Sequence, residues 1–183
     1  MNGENRYHAI LGGGPCFIVH PSDTAPMLVA LEALANVSGP DGDRMVALER
    51  FFALPEESLE RENVLRPGEI VTEVLLPPPG ATQRSSYRKV RERGAWDFAL
   101  VSVALSVRFE GETVAGARVV FGGVAPIPWR SREAENVLRG KHIGADVARR
   151  AAEAATSDAA PLEQNGYKVP LLQGALEESL LAL

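Results

Sequence analysis

Val101-Ser102-Val103-Ala104-Leu105-Ser106-Val107-Arg108-Phe109 is the stretch whose pattern decides the fold. Val101, Val103, Leu105, Val107 and Phe109 fall on one face of an extended chain, and Ser102, Ala104, Ser106 and Arg108 on the other, which is the period-two signature of a strand. Glu110-Gly111-Glu112 supplies a turn, and Thr113 to Phe121 returns as a partner strand. Tyr87 to Arg93 adds a third, so an antiparallel meander is predicted. After Pro126-Ile127-Pro128-Trp129-Arg130 the pattern becomes helical. Ser131 to Leu138 ends at Gly140, Gly144 to Thr156 is rich in alanine, and Leu171 to Leu183 carries Leu172, Leu176, Leu180 and Leu183 on one stripe. Strands followed by helices predict an α+β layer sandwich for residues 81–183.

Toward the N-terminus, Pro77-Pro78-Pro79-Gly80 stops a strand that alternates over Glu69 to Leu76, and a domain boundary is expected there. Gly12, Gly13, Gly14 and Pro15 form an opening loop, and Cys16-Phe17-Ile18-Val19 reads as a short buried strand. In His20-Pro21-Ser22-Asp23-Thr24-Ala25-Pro26 a helix begins, with Ser22 or Asp23 as its cap and Pro26 in its first turn. It is expected to run to about Ala35. Gly39 to Asp43 is a turn, Met45 to Leu48 is a strand leading into one helical turn, and Pro55 to Arg66 is a polar loop.

The composition, 45% hydrophobic and 23% charged over 183 residues, is that of a globular protein and argues against disorder. The net charge of -5 is not gathered into blocks, so no basic footprint for nucleic acid is expected. The longest apolar runs, Met27 to Ala35 and Phe98 to Val107, are too short to span a bilayer. Met1 to Arg6 lacks a basic-then-apolar leader pattern, and a single cysteine excludes an internal disulfide framework, so the cytoplasm is the expected location.

The residues by themselves point to little chemistry. The glycine cluster lacks the strand-GxGxxG-helix setting of a dinucleotide site and reads first as a loop. His8, His20 and His142 are scattered, so zinc is not expected, and no G-x-S-x-G elbow supports hydrolysis. Asp23 reads as a cap, Lys89 as a solvated charge on an edge strand, and Trp96 and Trp129 as core anchors.

Several stretches, taken in order, resemble the FAD-binding medium subunit of the xanthine dehydrogenase/CO dehydrogenase family of molybdenum hydroxylases. They are Asn5-Arg6-Tyr7-His8-Ala9-Ile10, His20-Pro21-Ser22-Asp23, Arg66-Pro67-Gly68-Glu69-Ile70, Arg93-Gly94-Ala95-Trp96-Asp97-Phe98-Ala99 and Gly122-Gly123-Val124-Ala125-Pro126. The resemblance covers essentially the whole chain. It implies the end of a vanillyl-alcohol-oxidase-type FAD-binding subdomain over residues 1–80. A CO-dehydrogenase-flavoprotein C-terminal domain over 81–183, with a three-stranded sheet and a helical bundle, would follow. It also implies an oxidoreductase subunit that passes electrons from iron–sulfur clusters through FAD to an acceptor such as NAD. The implied partners are a molybdenum-cofactor large subunit and an iron–sulfur small subunit. No catalytic residue is implied, because the substrate is hydroxylated at molybdenum in another subunit.

Carried over position by position, the resemblance implies FAD contacts at Ser22 and Asp23, at Ile70 and Val71, and at Lys89. Asp23 would accept from flavin hydroxyls, and the Lys89 cation would stabilise negative charge on reduced flavin. In members similar to 4-hydroxybenzoyl-CoA reductase, an inserted segment carries the cysteines of a 4Fe-4S cluster. The last of them precedes the acidic residue by the spacing of Cys16 to Asp23. Cys16 is therefore either such a ligand or a buried strand residue. The resemblance further implies about a hundred preceding residues with a glycine-rich cradle for the FAD diphosphate, so this sequence reads as N-terminally truncated. A docking module of the same complex that does not bind FAD alone is the alternative.

Overall fold

A computed structural model describes residues 3–183; Met1 and Asn2, part of the stretch read for a leader pattern, lie outside the described residues. Ser22 starts the first helix, α1 (Thr24–Ala30), by accepting a hydrogen bond from the Ala25 amide at 3.1 Å. Asp23 occupies the capping position, yet its side chain makes no capping bond, so its carboxylate is free for other partners.

The helix stops at Ala30, short of the expected Ala35. Glu32 takes a φ of +60°, which reverses the chain and releases Leu34–Gly39 into a strand, β1, whose first two residues fall where helix was expected. Leu34 and Ala35 favour a helix locally, and pairing on both edges overrides them. β2 (Gly42–Ala47) follows through a turn in which Gly42 has a φ of +104°, leads into a single 3-10 turn at Leu48–Arg50, and pairs antiparallel with β1. β3 (Ile70–Leu75) takes the other edge, giving the order β2-β1-β3. The expected strand at Cys16–Val19 is absent. That segment is extended but only half-buried or exposed, and its carbonyls serve local bonds from Ala9 to Phe17 at 2.9 Å and from Gly14 to Cys16 at 3.0 Å.

The second sheet contains β4 (Gln83–Val90), β5 (Val101–Glu110), β6 (Thr113–Gly122) and the two-residue β7 (Trp129–Arg130), in that order. The meander is as predicted, with β7 as a fourth strand beyond the three expected, paired through Val120 with Arg130 and Phe121 with Trp129. Three helices follow: α2 (Arg132–Leu138), α3 (Ala145–Ala155) and α4 (Lys168–Leu181). Ser131 caps α2 by accepting from the Ala134 amide at 3.3 Å. Pro170 fits the first turn of α4, which begins three residues before the expected Leu171.

Both faces of β5 are covered. Val101, Val103, Leu105 and Val107 are fully buried with Leu138, Leu172 and Leu176 in one cluster under the helices. Ala104 on the opposite face joins Val120, Val29, Ala30, Ala35 and Val37 in a second cluster under α1. Small side chains on that face let the helix approach closely: a Cβ on Gly122 would stand 2.9 Å from the Pro26 ring. Thus α1, from the N-terminal part, is a layer of the second sheet, and its start lies beside β4.

Candidate functional site

Tyr87 and Lys89 are two residues apart on β4 and therefore share a face, the one on which α1 begins. Both reach Asp23. Lys89 Nζ lies 2.6 Å from Asp23 Oδ2, and the Tyr87 hydroxyl lies 3.2 Å from Oδ1. Lys89 also donates to the Asp97 carbonyl at 2.7 Å, which ties the loop after β4 to the start of α1. Two of its three N–H donors are thereby committed. Lys89 is not the solvated edge charge that its strand position suggested; its side chain is only 17% exposed.

This cluster borders a cavity of about 580 Å³ lined by Val19, His20, Asp23, Phe98, Leu100 and Gly123, among others. Ser22, Asp97 and Tyr7 are also part of its lining, and Lys89 stands behind Asp23 and Asp97. Apolar walls with a few convergent polar groups suit a small organic ligand. His20 packs edge-on against Phe52, with centroids 4.7 Å apart, and neither ring nitrogen has a partner. Burial lowers its basicity, so the imidazole is neutral. On the opposite rim, Tyr7 donates to Glu92 at 3.0 Å, which raises the phenol, and Arg6 pairs with the same carboxylate. Asp97 accepts from the Arg93 amide at 3.0 Å, and that bond holds its carboxyl low. Gly123 closes one wall with a φ of +74°; a Cβ there would sit 2.6 Å from the Ala99 carbonyl oxygen.

The remaining sequence candidates lie elsewhere. Ile70 and Val71 are on the edge strand of the other sheet, 63% and 39% exposed, and do not line the cavity. Gly12 and Gly13 are filled by neighbours, since a Cβ on either would overlap Trp129 or Phe17. Their absent side chains make room for those two rings. Cys16 is half-buried beside a separate surface pocket with Asn5, His8 and Leu162. Among the described residues, no three His, Cys, Asp or Glu side chains converge as metal ligands. A 4Fe-4S cluster takes four thiolates and this chain has one cysteine, so its own residues do not form that site. Sequence reasoning found Asp23 and Lys89 but missed Tyr87, whose signal was its alternation with Lys89. His20 and Asp97 lie within the stretches that carry the resemblance but were not singled out, and Glu92 gave no signal that separates it from an ordinary loop residue.

Residues 85–181, more than half of the chain, match the family described as the CO dehydrogenase flavoprotein C-terminal domain. The chain belongs to that family. Residues 2–79 match a second one, the FAD binding domain in molybdopterin dehydrogenase, so this member joins the two in one polypeptide. Among its relatives is the aldehyde oxidoreductase FAD-binding subunit PaoB of Escherichia coli (strain K12), 34% identical over 182 residues, which are 98% of this chain and 54% of PaoB. The carbon monoxide dehydrogenase medium chain of Hydrogenophaga pseudoflava is 30% identical over 82% of this chain and 51% of its own length. A solved carbon monoxide dehydrogenase from Hydrogenophaga pseudoflava superposes with a TM-score of 0.79 at 27% identity, covering 88% of this chain and 56% of that one. The chain therefore spans about half the length of these relatives. No helix among the described residues is long and apolar enough to cross a membrane.

Proposed function

We propose that this family member holds the isoalloxazine end of FAD in the cavity beside Asp23. It would serve a molybdenum hydroxylase whose medium subunit passes electrons from iron–sulfur clusters through FAD to an acceptor such as NAD. The observation that carries the reading is the junction of the two matched regions. Residues 2–79 contribute Ser22 and Asp23 to the cavity lining and residues 85–181 contribute Asp97, with Lys89 holding Asp23 and Asp97 together from behind. We take residues 1–80 as the C-terminal portion of the FAD-binding domain and 81–183 as the C-terminal domain.

Bound FAD supplies the electron transfer; the chain's residues bind and tune it. Asp23 retains lone pairs beyond those facing Lys89 and Tyr87 and accepts from ligand hydroxyls. The Lys89 ammonium, one residue behind the lining, provides positive potential where negative charge accumulates on reduction. His20, neutral and packed on Phe52, adds an uncharged ring to the wall. The proposal does not extend to Ile70 and Val71. A molybdenum-cofactor large subunit and an iron–sulfur small subunit are the proposed partners, in the cytoplasm.

The test is an FAD titration of the purified chain, read by absorbance and flavin fluorescence, alone and with its neighbouring subunits. Asp23→Asn and Lys89→Ala are each expected to weaken binding by about tenfold or more, the cost of a charge-assisted bond. Lys89→Ala should also slow flavin reduction in the assembled enzyme. Unchanged binding and reduction would remove both residues from the site.

A second reading, a docking module that binds no FAD by itself, is favoured by β3. Its outer edge is unpaired among the described residues, and Ile70, Val74 and Leu75, with Leu76 after the strand, are 44–63% exposed, the kind of edge that a further strand or partner covers. Flavin that appears only when the neighbouring subunits are present would select this reading.

A further inference from the structure

Lys168, the first residue of α4, is 1% exposed, and among the described residues its ammonium meets no carboxylate. Its Nζ donates to three backbone carbonyls instead: Tyr7 at 2.7 Å, Gly123 at 2.7 Å and His8 at 3.1 Å. Three donors meet three acceptors, so the group is fully committed. The position is costly. Burial penalises the charge, and a cation at a helix N-terminus opposes the macrodipole. An apolar residue of the same length would avoid both penalties. It would, however, leave the Tyr7 and Gly123 carbonyls without their donor and His8 with Asn165 alone.

Those carbonyls belong to two segments that wall the cavity. Tyr7 and Gly123 both line it. The same two segments are joined again by Ile10 and Leu11, whose amides share the Val124 carbonyl at 2.9 Å and 3.0 Å. Gly123 in turn rests on the Ala99 and Leu100 carbonyls, from two further lining residues. From this geometry we infer that Lys168 is a positioning residue for the ligand cavity, its ammonium clamping the Tyr7–His8 segment to the Gly123 turn to make one continuous wall. The ligand's identity as a flavin rests on the reading above; the clamp does not.

The clamp has a pH signature. Burial pulls the ammonium down to about 8, while the three carbonyl bonds hold it charged at neutral pH. A neutral amine has two N–H groups for three carbonyls, so the wall loosens as pH rises beyond that point. Between the lowered value and the ordinary 10.5, the unfolded chain binds more protons than the folded one. This group therefore adds to fold stability as pH rises, while ligand affinity falls. Opposite trends are not expected of a merely structural lysine. The other titratable or charged groups facing these segments are Arg6, Tyr7 and His8 on one side, with Glu92 against Arg6 and Tyr7, and Tyr167 on the helix side. Tyr7 and Tyr167 are both raised above 10 and stay neutral up to pH 9, Arg6 is raised beside Glu92 and stays charged, His8 contributes its carbonyl, and Gly122 to Pro126 contains none.

The experiment compares the wild-type chain with Lys168→Met and Lys168→Arg. Hydrogen exchange at the Ile10 and Leu11 amides is measured without ligand, and FAD titrations are run at pH 7 and pH 9. Lys168→Met is expected to lose about tenfold or more in both amide protection and FAD affinity, and Lys168→Arg to restore both and abolish the affinity loss at pH 9. Protection in Lys168→Met within about twofold of wild type would overturn the inference. If Lys168→Met loses protection while no variant binds FAD, the clamp stands and the flavin reading fails. Should Lys168→Met not fold, wild-type protection that stays flat from pH 7 to pH 9, after correction for intrinsic exchange, would overturn the clamp.

Discussion

At the residue scale, Gly123 concentrates several demands at one Cα. Its φ of +74° lies where side chains are disfavoured, a Cβ would collide with the Ala99 carbonyl oxygen, and its own carbonyl accepts from Lys168. Backbone atoms cannot yield as a flexible side chain does. Gly123→Ala is therefore expected to destabilise the protein by about 2–4 kcal/mol, strain and overpacking together. Chemical denaturation measures the loss, and FAD affinity should fall with it because this turn is a cavity wall. Asp23 illustrates the complementary point. A residue in the cap position becomes available for function because its neighbour Ser22 does the capping.

At the element scale, β5 is the centre of the molecule because it is buried on both faces. Its two faces differ in side-chain size, which matches what covers them: branched residues under the helical layer and Ser102 and Ala104 under α1. Leu105 is fully buried in the helical-side cluster. Leu105→Ala is expected to cost about 2–5 kcal/mol, seen as a lower denaturation midpoint at unchanged slope. A loss below about 1 kcal/mol would mean that the helices collapse onto the vacated volume. The Ala-rich helix α3 packs at close range for the same geometric reason, with Ala148, Ala151, Ala152 and Ala155 buried on one face.

At the scale of the whole molecule, the two matched regions are interlocked. The Asn5 amide donates to Gln164 Oε1 at 3.0 Å, Asn5 Oδ1 accepts from the Gln164 amide at 2.9 Å, and Asn165 donates to the His8 carbonyl at 3.0 Å. Glu49 binds Arg118, Arg130 and Arg132, which joins the 3-10 turn to β6, β7 and the start of α2. Residues 81–183 expressed alone would bare Ala104 and Val120 and lose the partners of Val124. They are expected to bind a hydrophobic dye and to melt about 10 °C or more below the full chain. Equal melting temperatures would show that the N-terminal region contributes nothing to that core.

By itself, the sequence determined the β4–β6 meander, the helices after it, the strand at 70–75 and the family, because period-two alternation, helical stripes, caps and ordered motifs are local properties of the chain. It also named Asp23 and Lys89, though not that they touch. Tertiary structure alone decided the rest. Glu32's reversal ended α1 early and sent Leu34 and Ala35 into β1, the four-residue Cys16–Val19 run found no strand partner, and Lys168 was buried against the N-terminal segment. Each of these depends on partners far along the chain, whose pairing and burial energies exceed local preference, and that balance cannot be read until the fold brings them together.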